Sequence, residues 1–186
     1  MVATETPAPT LGSKAPDFTL LGVDGRRHTL AELAGEKGTV VMFLCNHCPY
    51  VKAILDRIIR DARELRDHGV ACIAIMANDP AAYPEDSFEN MQRIAREKDF
   101  PFAYLIDETQ EVARAYGAVC TPDFFGFDRD LRLAYRGRLD ASRQVAAPGA
   151  RRELFEAMVA VARGEAPPEV QQPSIGCSIK WKDAGD

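Results

Sequence analysis

The chain has 186 residues, 46% of them apolar, and a formal net charge of −5. That is enough for one domain with its own core, and the charge has the wrong sign for a nucleic-acid surface. No apolar stretch approaches the ~20 residues of a membrane-spanning helix, and five cysteines do not make a disulfide framework in a chain of this size, which leaves redox chemistry, metal binding or core filling for them.

In chain order, residues 1–11 read as a flexible arm. The stretch Met1 to Thr10 carries acid but no base, two prolines and no apolar centre, so it is not a secretory signal, and the expected location is the cytoplasm. Residues 12–163 form the expected domain. Ala15-Pro16-Asp17-Phe18-Thr19-Leu20 leads into a short strand, Asp24-Gly25 offers a turn, and His28 to Leu33 returns as a strand and a helical turn. Thr39 to Leu44 is a continuous apolar run, which predicts a strand buried on both faces. After it Val51, Ile54, Leu55, Ile58, Ile59, Ala62 and Leu65 recur at helical spacing and leave Lys52, Asp56, Arg57, Arg60 and Arg63 for solvent, up to a stop at His68-Gly69. Val70 to Met76 is a second buried strand, and the strand–helix–strand order implies a right-handed parallel crossover. Asn78 to Asp86 reads as a polar loop whose acids Asp79, Glu85 and Asp86 are solvated. Asp86 with Glu89 suggests a capping box before a helix running to about Lys98. A strand over Phe100 to Ile106 follows, then a helix capped by Asp107 and stopped by Gly117. Beyond Cys120-Thr121-Pro122 an apolar strand runs to Asp128. Leu131, Leu133 and Tyr135 alternate with Arg132, Ala134 and Arg136 as a half-exposed antiparallel strand. Arg151 to Arg163 is a last helix. Residues 164–186 form a proline-rich linker, with three prolines between Glu165 and Pro173, and a cysteine-containing tail.

The chemistry concentrates at Cys45-Asn46-His47-Cys48-Pro49. Both thiols sit where the buried strand hands over to the helix. A helix N-terminus presents unpaired N–H groups and partial positive charge, which stabilise a thiolate. Pro49 suits a first turn, where its missing N–H costs nothing. Strand, Cys-x-x-Cys and helix, preceded by Ala-Pro-Asp-Phe-Thr-Leu and Asp-Gly, resemble the thioredoxin superfamily, and within it the redoxin (AhpC/TSA, peroxiredoxin-like) and membrane-tethered-reductase-like branches. The likeness covers roughly Gly12 to Arg163. It implies an α/β thioredoxin-like fold, a mixed central sheet of about four or five strands flanked by helices, with an N-terminal β-hairpin and a C-terminal tail.

The resemblance also implies roles. Cys45 would be the nucleophile and Cys48 the resolving thiol of a thiol–disulfide oxidoreductase. Thr121-Pro122 would be the cis-proline segment that docks an extended substrate. His47, between the cysteines, would tune the couple toward oxidising if its charged imidazole stands near the sulfur. Partners would be protein or small-molecule thiols and disulfides, with electrons from a thioredoxin or glutathione system. No nucleic acid or membrane partner and no cofactor are expected, and the chain is expected as a monomer or homodimer.

Two alternatives stand beside this reading. One is a thiol-dependent peroxidase with Cys177 as resolving cysteine. The sequence departs from the peroxiredoxin pattern Pro-x-x-x-Thr-x-x-Cys: its proline and threonine would fall on Val41 and Cys45, or on Gly38 and Met42. The other is a non-catalytic zinc or iron–sulfur site through Cys45, Cys48, Cys120 and Cys177, with His47 as a spare. Cys120 reads as a third redox thiol, a ligand or a buried filler. Cys177 reads as a resolving thiol, a ligand, or an incidental thiol in a tail pinned by Ile175, Ile179 and Trp181. Cys72, mid-strand among apolar residues, reads as inert. His28 and His68 need no special role.

Overall fold

The computed structural model describes residues 3–183. In chain order its strands and helices are β1 (Ala3–Glu5), β2 (Thr19–Gly22), β3 (Arg27–Thr29), α1 (Leu30–Leu33), β4 (Gly38–Phe43), α2 (Pro49–Asp67), β5 (Val70–Met76), α3 (Phe88–Glu97), β6 (Ala103–Ile106), α4 (Glu111–Tyr116), β7 (Cys120–Thr121), β8 (Asp123–Asp128), β9 (Leu133–Gly137), α5 (Glu153–Ala162) and β10 (Ile175–Ser178).

The main sheet has seven strands in the order β3-β2-β6-β5-β4-β8-β9. It exceeds the expected four or five because the β2–β3 hairpin joins it, β2 running antiparallel to β6. β4 lies at its centre, parallel to β5 and antiparallel to β8, and every one of its residues is buried. Its alternation divides the core. Val40, Met42 and Leu44 pack with α2, α3 and α5, whereas Val41 and Phe43 pack with α1, α4 and the N-terminal segment around Phe18. A strand covered on both faces must be apolar on both, which is why it reads as an unbroken run.

α2 follows the predicted periodicity, with Val51, Ile54, Ile58, Ile59, Ala62 and Leu65 buried, and Gly69 just beyond it adopts φ +77°. Arg57 is not left to solvent: it donates to Asp140 Oδ2 at 2.6 Å and to the Ala147 carbonyl at 2.6 Å. The capping box falls on Thr29 and Glu32 at α1 rather than on Asp86 and Glu89. At α3 the N-cap is Ser87, whose hydroxyl accepts from Asn90 N. Asp107 lies before the αL residue Gln110, which is the N-cap of α4, yet its Oδ2 still takes the Ala113 N–H at 2.7 Å.

Two expectations are corrected where the chain ends meet the sheet. β9 is buried throughout, not half-exposed. Arg136 turns inward to Asp123 at 3.0 Å, and Gln171 bonds the N–H of Arg136 and the carbonyl of Ala134, so the proline-rich linker covers an edge that would otherwise stay unpaired. The expected flexible arm contains β1. The tail, whose destination the sequence left open, forms β10, which pairs with β1 on one side and β7 on the other in a second, three-stranded sheet.

Candidate active site

The two motif cysteines lie past the end of β4, Cys48 serving as N-cap of α2 with Pro49 in its first turn. Each thiol shifts the acidity of the other. Both are buried, Cys45 at 3% exposure and Cys48 at 0%. Cys45 lines an apolar recess together with Leu44, Val51, Leu55, Phe100 and Tyr104. Cys45 Sγ also stands 3.3 Å from the Thr121 hydroxyl. Cys48 Sγ donates to the Thr121 carbonyl at 3.2 Å and stands 3.0 Å from Cys177 Sγ.

The pair shares its protons unequally. The Cys45 thiol pulls Cys48 down to about 5 against its burial, and the Cys177 thiol and the N–H groups of Val51 and Cys177 add to the effect. The Cys48 thiol, then burial and the Asp86 carboxylate, push Cys45 well above the ordinary thiol range. Of the two thiols Cys48 is therefore the more readily ionised, and on ionisation it gives up its bond to the Thr121 carbonyl. A thiolate gains most from donors at a helix N-terminus, and Cys48 is the residue placed there.

A His47 ring nitrogen lies within 4.8 Å of Cys45 Sγ. The His47 Nδ1 donates to Asp86 Oδ2 at 2.6 Å, and its ring stacks on Tyr83 at 5.2 Å with 8° between planes. Asp86, expected in solvent, is completely buried. Besides His47 it accepts from Asn46 N at 2.7 Å and from Asn78 Nδ2 at 2.9 Å. Asn78 Oδ1 in turn accepts from Lys180 N at 2.9 Å, and Asn46 Oδ1 from Tyr104 OH at 2.8 Å. The loop before α3 folds back because this carboxylate is the acceptor that the motif's backbone and imidazole need. Glu85 remains exposed, as expected.

Asp86, Asn78 and Tyr104 were missed by sequence reasoning. One signal was available: Asn46 and Asn78 lie just past the C-terminal ends of the parallel strands β4 and β5, the place where α/β sheets bind ligands. Replacing Asp86 by Asn keeps the volume but sets an amide N–H against donors. Asp86→Asn is expected to cost about 1–3 kcal/mol of stability in urea unfolding.

Thr121-Pro122 is a cis peptide, but its surroundings are not free. Ser174 Oγ donates to the Pro122 carbonyl at 2.7 Å, and β10 runs along β7 beside it. Cys120 Sγ is turned to the Pro122 carbonyl at 3.6 Å, and burial raises its pKa far above the thiol range. Cys72 is raised to about 12 by burial.

The four-cysteine metal set is therefore not formed. Among the described residues the group whose ligand atoms lie mutually within 4.8 Å is Cys45, His47 and Asp86, and its His–Asp pair is already closed on itself at 2.6 Å. His28 pairs with Asp24 at 2.8 Å and His68 sits at the end of α2 against Phe155, both away from the thiols.

A central mixed sheet with helices on both faces, and a dithiol where its middle strand meets a helix, define a protein of the thioredoxin-like α/β fold. Residues 11–136 match the AhpC/TSA family, and the chain belongs to it. A crystal structure of an uncharacterized conserved protein from Geobacillus kaustophilus is 48% identical with TM-score 0.95, the match covering 100% of this chain and 99% of that one. A hypothetical protein from Sinorhizobium meliloti 1021 is 38% identical with TM-score 0.92, over 97% and 100% of the two chains. Among curated proteins, the thiol-disulfide oxidoreductase ResA of Geobacillus thermodenitrificans (strain NG80-2) is 28% identical over 130 residues, 70% of each chain.

Proposed function

We propose that this protein is a thiol–disulfide oxidoreductase working through Cys45 and Cys48. The observation that carries the reading is the Cys45–Cys48 pair where β4 hands over to α2, with Cys45 lining an apolar recess and Cys48 wholly buried 3.0 Å from Cys177 Sγ. The similarity to ResA points the same way.

Access selects Cys45 as the attacking sulfur, and charge makes Cys48 its base. The Cys45 proton passes to the Cys48 thiolate, and the Cys45 thiolate attacks one sulfur of a substrate disulfide. A mixed disulfide forms as the substrate S–S bond breaks, and the first substrate thiolate leaves and takes up a proton. Cys48 then loses its proton and attacks Cys45. The Cys45–Cys48 bond forms, and the second substrate thiolate departs. The substrate gains two electrons and the dithiol loses them; the reverse sequence oxidises a substrate dithiol. Asp86 fixes the motif by holding Asn46 N and His47, so His47 acts as a positioning residue. The apolar recess suits a substrate that brings apolar surface beside its disulfide, of protein or small-molecule origin.

The peroxidase alternative gains no residue here, because the positions that would carry its proline and threonine lie within buried β4 or are Cys45 itself. The deciding assay is catalysed exchange between a dithiol and a disulfide substrate. Cys45→Ser is expected to lower turnover by at least about 10³-fold. Exchange that survives this change removes the proposal.

A further inference from the structure

The C-terminal strand meets the dithiol at one sulfur that the exchange reaction leaves unexplained. β10 lies antiparallel on β7 with Cys177 opposite Thr121. The strand edge beside Pro122, which would receive an extended peptide, is thus already taken by the chain's own backbone. The approach is close enough to demand glycine, since a Cβ on Gly176 would stand 2.0 Å from the Thr121 carbonyl oxygen. Fastenings on both sides keep the strand there. Ala3 pairs with Cys177 across β1, Ile179 N donates to the Val119 carbonyl at 3.1 Å, and Gln110 Nε2 donates to the Lys180 carbonyl at 2.9 Å. The result is a Cys177 sulfur 3.0 Å from Cys48 Sγ, about 1 Å beyond the ~2.05 Å of a disulfide bond.

We infer that Cys177 is a third redox thiol, which exchanges with the Cys45–Cys48 disulfide to give a Cys48–Cys177 disulfide and a free Cys45. This rests on the dithiol reading of Cys45 and Cys48. The Cys177 thiolate attacks the Cys48 sulfur. The Cys48–Cys177 bond forms as the Cys45–Cys48 bond breaks, and Cys45 leaves as thiolate and takes up the proton that Cys177 gave up. One disulfide exists before and after, so neither oxidant nor reductant is consumed. Burial, then the Cys48 thiol, push Cys177 up to about 12, which the Lys180 ammonium partly offsets, and the Thr121 hydroxyl beside Cys45 can donate to the leaving sulfur. Because the two sulfurs already touch, the strand need not leave its place. The consequence is a chain that carries an oxidised pair in its interior while its accessible thiol, Cys45, is free for another disulfide. Cys120 takes no part, being turned to the Pro122 carbonyl.

The test is disulfide mapping on the full chain. Reduced wild-type protein is oxidised with a stoichiometric amount of diamide, quenched in acid, alkylated and mapped by mass spectrometry. Cys45→Ser is treated in parallel. The expected result in wild type is a Cys48–Cys177 bridge with alkylated Cys45 in at least about a tenth of the oxidised chains, a ratio worth ~1.4 kcal/mol. In Cys45→Ser the Cys48–Cys177 bridge is expected to dominate. Only Cys45–Cys48 in wild type and no internal bridge in the variant overturns the role of Cys177 while leaving the oxidoreductase standing. A Cys45–Cys177 bridge in place of Cys48–Cys177 also overturns it. No bridge at either pair, with no catalysed exchange, fails the dithiol reading itself. If Cys45→Ser does not fold, the wild-type map alone decides.

Discussion

The Cys45–Cys48 couple is expected to equilibrate with glutathione buffers at pH 7 at a potential less reducing than thioredoxin's ~ −270 mV. The reason is the acidity of Cys48, drawn down to about 5 by the thiol of Cys45 and the other donors around it. At pH 7 such a thiol is largely ionised, and the ionised form stabilises the reduced protein against the disulfide. Thioredoxin's own thiol, with a pKa near 7, gains almost nothing at that pH, so the difference makes this couple the more oxidising. The sign carries over to stability. A folded-state pKa below the unfolded one adds stability that is complete above the unfolded thiol value and is lost as pH falls through about 5. Cys45 stays protonated across that window, because its pKa is raised, and does not offset the gain. Reduced protein should therefore become more resistant to urea from pH 5 to pH 7, and oxidised protein should lack this increment. A potential at or below −270 mV, or identical pH profiles for the two forms, removes the claim that Cys48 is the readily ionised thiol.

Replacing Cys48 by Ser should stop turnover and leave the substrate covalently attached to Cys45. Attack by Cys45 produces a mixed disulfide that only a neighbouring thiol can release quickly, and Cys177 faces Cys48 rather than Cys45. Turnover is expected to fall at least about 10³-fold. Mixed disulfides on Cys45 should accumulate with small disulfides and with protein thiols, readable by mass spectrometry. The variant also loses the base that accepts the Cys45 proton, so adduct formation itself should slow and recover toward alkaline pH. Mixed disulfides trapped on Cys48 in a Cys45→Ser variant would reverse the two roles.

The architecture was legible wherever a pattern repeats. β4, α2, β5 and α5 announce themselves because burial on two faces demands an apolar run and burial on one helical face demands a 3.6-residue recurrence. The reactive pair was legible because its spacing and its strand-to-helix position are both local. Asp86 was misjudged because an acid in a loop of Asp, Glu and Pro is solvated unless something across space needs it. What needs it, Asn46 N and His47 Nδ1, lies about forty residues away in the chain. β9 was misjudged for the same kind of reason. Its alternation would leave one face wet, but Asp123 draws Arg136 inside and Gln171 covers the edge.

The amino-acid sequence by itself determined that this is an α/β protein with a dithiol at a helix start, because those properties depend on neighbours within a turn or a strand. Only the tertiary structure decided where the termini go, which sulfur ionises more readily, and that Cys177 rather than Cys120 meets Cys48. Those outcomes depend on antiparallel pairing between segments more than fifty residues apart. The pairing energy comes from backbone hydrogen bonds that every residue can make, so no side-chain pattern records it.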